Sequence, residues 1–214
     1  VAQPDNVKDF FQTGITYQNN VSISGGDERS SFRLSYSNLD NTGIIPNTDL
    51  VRNGVALSGR QQLSEKLSAS VFANYINSKS SNRPGLGYGS ENIMYIFNWM
   101  GRQNDIESMR DYWQAGQEGF EQFNFNYQWM DNPFLTVYEN TNSFDKDRIL
   151  GNGALTYDFS EKLSLRLRSG IDYYVDQRQF KRAFSSKRWI NGAYREDDIA
   201  FKEVNTDLLL SWRD

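Results

Sequence analysis

The sequence holds neither cysteine nor histidine. Disulfide frameworks, Cys/His zinc sites and Ser-His or Cys-His catalytic pairs are therefore unavailable, and the commonest general base is missing. No stretch of eighteen apolar residues occurs, which excludes a transmembrane helix. Apolar content is modest at 38%; this leaves a β-barrel open, because a barrel's lumen and loops are polar. No signal peptide stands at Val1, and alternation is still running at Trp212-Arg213-Asp214, so both ends read as cuts. The 214 residues suffice for one large domain or a piece of something bigger.

What the sequence does contain is a strand–turn–strand unit that occurs twice. Leu63-Ser64-Glu65-Lys66-Leu67-Ser68 reappears as Phe159-Ser160-Glu161-Lys162-Leu163-Ser164. After the second copy, Leu163, Leu165, Leu167, Ile171, Tyr173 and Val175 alternate with Ser164, Arg166, Arg168, Gly170, Asp172 and Tyr174. A period of two sends successive side chains to opposite faces of a sheet. One face is apolar and the other charged, over a length nearer a tilted bilayer-spanning strand than a soluble one. The predicted fold class is all-β, an antiparallel transmembrane β-barrel segment of about seven strands with long extracellular loops.

The seven strands are expected over 16–25, 30–38, 51–63, 67–75, 148–159, 163–175 and from about 204 to 212. Their connections run short, long, short, long, short, long, as expected of periplasmic turns and extracellular loops. That places the Ser-Glu-Lys turns on the periplasmic side and segments 39–50, 80–147 and 176–202 outside. Tyr36, Tyr75 and Tyr173 fall near the outer ends of their strands, where amphipathic rings favour the interface.

Charge is uneven. Residues 80–147 carry a balance of −6 and residues 148–202 one of +4. Patches of one sign can steer a ligand, although solvated loop charge is the plainer reading. The basic stretch from Arg178 to Arg188 lacks a supporting nucleic-acid motif, and no nucleic-acid partner is expected. Segment 80–147 also holds fourteen of the thirty-one aromatic residues, so it is expected to be folded. Short helical turns are predicted over 93–99 and 106–113, the second with Asp105 as N-cap. Its rings either build a core for the loop or line a ligand site. Trp99, Trp113 and Trp129, each flanked by a polar residue, are the candidate ligand-binding residues. Asp197-Asp198 and the Asp145/Asp147 pair lack EF-hand spacing. No catalytic residue, metal site or cofactor is predicted, and the chain is not expected to be an enzyme.

Several ordered motifs resemble SusC/RagA-type TonB-dependent outer-membrane transporters. These are Thr13-Gly14, Asn20-Val21-Ser22-Ile23-Ser24-Gly25-Gly26, Phe32-Arg33-Leu34-Ser35-Tyr36 and Asn41-Thr42-Gly43-Ile44-Ile45-Pro46-Asn47-Thr48. Asn132-Pro133-Phe134, Tyr138-Glu139-Asn140, Asp147-Arg148 and Gly170-Ile171-Asp172-Tyr173-Tyr174 continue the pattern over nearly the whole chain. The resemblance implies a multi-pass barrel of the Gram-negative outer membrane, in contact with its lipid. It further implies import of oligosaccharides or oligopeptides with a SusD-like surface lipoprotein, powered through TonB. The plug, the TonB-binding region and the remaining barrel are absent from these residues, so residues 1–214 are expected to be a partial barrel domain. The alternative is a secreted β-sandwich that binds carbohydrate through exposed tryptophans; a carboxylate glycosidase is a third, weaker reading.

Overall fold

Two-residue alternation becomes seven strands in a computed structural model that describes residues 2–213. Val1 and Asp214, at which the ends read as cuts, lie outside the described residues. The strands are β1 (Ile15–Gly26), β2 (Ser30–Thr42), β3 (Asp49–Gln62), β4 (Leu67–Ser80), β5 (Asn142–Asp158), β6 (Leu163–Ser186) and β7 (Trp189–Trp212). They form one antiparallel sheet in sequence order. Each strand pairs only with its sequence neighbours, so the order is that of an up-and-down barrel wall. The described residues form no second sheet on which a sandwich core could close.

The register fixes the tilt. One in-register row runs Ser30, Gln61, Ala69, Leu155, Leu167. Strand β4 starts two residues beyond Ala69, at Leu67, and β6 starts four beyond Leu167, at Leu163. The stagger is therefore one residue per strand. With a rise of about 3.3 Å per residue and a strand spacing of about 4.8 Å, this is a tilt of about 35°, at the lower end of the barrel range.

Paired residues share a face, so the register also sorts the side chains. Leu34, Leu57, Ala73 and Gly151 share the convex face with Ile171 and Val204. Leu165, Leu167, Leu208 and Leu210 lie on the same side, with Leu208 66% and Leu210 63% exposed. Arg166, Arg168 and Asp172 point to the opposite, concave face. There Arg148 grips Asp172 through two hydrogen bonds, and Arg168 pairs with Asp207 across β6–β7. From Leu163 to Tyr173 the apolar band on β6 is roughly 27 Å tall at that tilt, close to a barrel's lipid-facing band.

A polar boundary closes the band. Tyr36, Tyr75 and Tyr173 fall in one in-register row. The next row on the same face, two residues on, contains Asn19, Asn38, Asn53, Asn77 and Asp147. The Tyr36 hydroxyl donates to Asn53 at 2.8 Å, and Tyr75 donates to Asp147. Asn38 donates to Asn53 at 3.0 Å, and Asn77 donates to both Asp145 and Asp147. Above this belt polar residues occur on both faces.

Tight turns at 27–29, 63–66 and 159–162 gather at one end of the sheet. Ser64 and Ser160 cap their turns alike, each Oγ accepting from the backbone N–H groups two and three residues on. The expected loop over 176–202 is not a loop. Strands β6 and β7 instead run past the polar belt as a hairpin that turns at Lys187-Arg188. The strict short–long alternation fails there, because the excursion consists of paired strand. For the same reason the long connection shrinks to 81–141: residues 142–147 pair with 175–180 of β6.

Candidate functional site: the aromatic cap and its cavities

Connection 81–141 folds over the end of the sheet opposite the tight turns. Helix α1 (Ile93–Trp99) forms where expected, with the Asn92 side chain accepting from Met94 N–H. The expected turn over 106–113 is a shorter 3₁₀ segment, Glu107–Arg110, and Asp105 accepts from Glu107 N–H. A further helix, α2 (Pro133–Tyr138), starts with Asn132 as N-cap and proline in its first turn. The Asn132-Pro133 pair is the sequence signal for this start.

Phe10, Ile93, Ile96, Phe97, Met100, Ile106, Met109, Phe134 and Val137 make the cap's core. The ring of Phe10 sits 4.9 Å from Phe97 and 5.0 Å from Phe134. The segment before β1 is therefore part of the cap. Asn6 Nδ2 donates to Gly101 and Asn104 carbonyls, and Arg102 donates to Pro4 O, which latch that segment down.

Two buried amides organise the rest. Asn132 accepts from Phe134 and Leu135 N–H and donates to Met109 and Phe123 carbonyls. Gln122 donates to Asp131 and to Ser185 O on the hairpin, while its Oε1 accepts from Asn132 N–H and Asn124. Every polar atom of both side chains is thus engaged, which a buried amide requires.

A cavity of about 810 Å³ opens beside the 3₁₀ segment, lined by Arg110, Asp111, Tyr112, Trp113, Gln114, Phe123 and Tyr127 among others. Arg110 is held to Glu107 by two hydrogen bonds. The Tyr112 hydroxyl donates to Glu139 at 2.8 Å. Burial and then that bond push its phenol up to about 12. Trp113 is fixed by a bridge to Gln122 and lies 5.6 Å from Tyr112, ring to ring. Flat rings beside amide, carboxylate and guanidinium groups suit a ligand with both apolar faces and hydrogen-bonding edges.

The three candidate tryptophans do not converge. Trp113 lines this cavity. Trp99 ends α1, 60% exposed, in a chain of rings with Tyr95 and Tyr88. Trp129 is 67% exposed, with its backbone N–H on Asn126. Polar neighbours in sequence did not separate the three, because what distinguishes Trp113 is its bridge to Gln122. The two acidic pairs are placed differently. Asp197 and Asp198 are adjacent strand residues on opposite faces, and Asp145 and Asp147 share the donor Asn77.

A second, smaller cavity of about 260 Å³ lies where the hairpin meets Glu91, lined by Arg182, Arg188, Arg195, Phe180 and Trp189 among others. The sequence signal for it was the basic stretch ending at Arg188.

No protein-family model matches this chain, and no curated protein does. Solved structures do match, two of them of one importer. A structure of the RagAB peptide importer in the 'closed-closed' state superposes over 95% of this chain with TM-score 0.66 and 18% identity. A structure of the same importer in the 'open-open' state gives 0.64 and 17%. This chain spans 22% of the length of each of those chains. The likeness is one of fold: this chain has the architecture of a segment of a β-barrel wall, with its cap at one end.

Proposed function

We propose that this chain is part of the wall and outer cap of an outer-membrane importer for oligopeptides or oligosaccharides. The single observation that carries the reading is the two-sided sheet: an exposed apolar band bounded by a Tyr/Asn belt, backed by a face of paired arginines and aspartates. Apolar side chains in that band are stable against lipid, and the charged face suits a hydrated lumen. The capped end is then the outer one, and the tight turns are periplasmic. The solved structures of similar fold belong to a peptide importer, which favours peptide as cargo over glycan. Ligand enters past the cap, where the Trp113 cavity holds it. A SusD-like lipoprotein closes over the cap, and TonB acts through a region outside this chain.

The test is Trp113→Ala in the complete transporter, with ligand affinity and heat-modifiability on a gel measured together. Loss of one stacked ring costs on the order of 1 kcal/mol, so affinity falls roughly several-fold while the barrel still assembles. Trp99→Ala and Trp129→Ala serve as comparisons for the two exposed rings. Unchanged affinity in all three variants would reduce the cap to scaffolding.

A further inference from the structure

We propose that the cavity on the β6–β7 hairpin is a carboxylate-binding subsite, taking the terminal or side-chain carboxylate of a peptide or the carboxylate of an acidic sugar. The proposal deepens the import reading and rests on it for the passage of ligand past this hairpin. Three guanidinium groups and one carboxylate, that of Glu91, line the cavity, and Arg195 also pairs with Asp197.

The arginines divide into a floor and a mouth. Arg182 is the floor, its side chain 6% exposed. It donates to Thr141 O, Lys181 O, Asn142 Oδ1 and Glu91 Oε2, and its Nε is buried without a partner. A guanidinium so placed holds Glu91 and ties the hairpin to β5, and Glu91 leaves it little charge to offer. Arg188 and Arg195 form the mouth, with side chains 72% and 63% exposed.

Stacking, more than ion pairing, orients those two. Arg195 lies over the Phe180 ring at 4.1 Å and Arg188 over Trp189 at 4.9 Å. Their acidic contacts are the longest in the cluster, 3.1 Å from Arg195 to Asp197 and 3.6 Å from Arg188 to Glu91. An arginine stacked by its face presents its edge N–H donors outward, and those that Asp197 and Glu91 leave are available to a carboxylate. The platform is firm, because Lys187 N–H bonds to Asp131, Ala183 N–H to Asn140, and Phe120 packs on Phe184. The cavity is smaller than a typical drug-sized site of about 300–1,000 Å³, so it takes an end group and not a whole chain.

The experiment uses the complete transporter in detergent and an N-terminally labelled peptide without charged side chains, as the free acid and as the C-terminal amide. Fluorescence anisotropy at low salt should show the acid bound about tenfold more tightly, as expected of a charge-assisted hydrogen bond. Added salt should shrink the difference, since the mouth is exposed. The double variant Arg188→Gln/Arg195→Gln should abolish it and leave the amide's affinity unchanged. A parallel pair, a glucuronate-ended and a neutral oligosaccharide, tells which source of carboxylate is preferred. Equal binding of each acid and its neutral partner, or a preference that survives the double variant, overturns the subsite. If neutral probes still bind and Trp113→Ala weakens them, the import reading stands without it. If no probe binds, both fall.

Discussion

At the scale of single residues, the cap depends on side chains whose hydrogen bonds reach across the chain. Asn132, itself fully buried, makes two bonds as an N-cap and two more as a donor, and of the four only the one to Phe123 O is part-buried. Asn132→Ala leaves several of those backbone groups unpaired, and the expected cost is about 2–4 kcal/mol. Proteolysis of the cap should accelerate while heat-modifiability of the barrel stays as in the parent; a cap equally resistant in both would contradict this role. Tyr112 gives a pH signature. Its folded pKa of about 12 exceeds the ordinary 10.0, so the folded cap keeps the phenol proton. The stabilisation is complete below pH 10 and is lost as pH climbs from 10 towards 12. Near-ultraviolet circular dichroism should show cap stability falling across that window, with a shallower fall in Tyr112→Phe. Identical slopes would mean that Tyr112 is neither buried nor bonded to Glu139 in the folded cap.

Among elements, the hairpin extension is the one the cap bonds to most at its tip. Gln122 bridges Asp131, Asn132 and Ser185, and it shares the holding of the hairpin with the Lys187–Asp131 and Ala183–Asn140 bonds. Gln122→Ala should free the hairpin tip, and trypsin cleavage after Lys187 or Arg188 should become about tenfold faster, consistent with a local opening eased by more than 1 kcal/mol. The extension also shows where sequence reading stopped. Below the Tyr/Asn belt, lipid on one side and polar surroundings on the other impose strict alternation, and strand positions, faces and three tight turns were legible from Leu163–Val175 and its counterparts. Above the belt both faces carry polar residues, so 39–42, 76–80, 142–147 and 176–186 pair as strand without a two-residue signature. Phe10 was illegible for another reason: its partners Phe97 and Phe134 lie far along the chain. Helix α1 was legible because it is local and apolar, and it formed over the expected residues. At the site, the richness of segment 80–147 in rings was visible, but which tryptophan lines a cavity was not, since the bridge between Trp113 and Gln122 is tertiary.

For the whole molecule, the outer edges of β1 and β7 are without strand partners among the described residues. Unpaired edges and an exposed apolar band together favour association, because neither water nor lipid satisfies both. Residues 1–214 produced alone should aggregate or require detergent. A monodisperse monomer in detergent-free buffer with cooperative unfolding would contradict a wall that needs its neighbours. The central claim is that the convex face meets lipid and the concave face does not. This segment has no cysteine, so single cysteines placed along residues 163–173 can carry one spin label each in the complete protein in bilayers. The measurement is collision of each label with oxygen, which concentrates in lipid, against collision with a water-soluble nickel chelate. The predicted result is a period of two, with labels at 165, 167 and 171 favouring oxygen and labels at 166, 168 and 172 not. A flat profile, or oxygen preference at 166 and 168, would contradict the account.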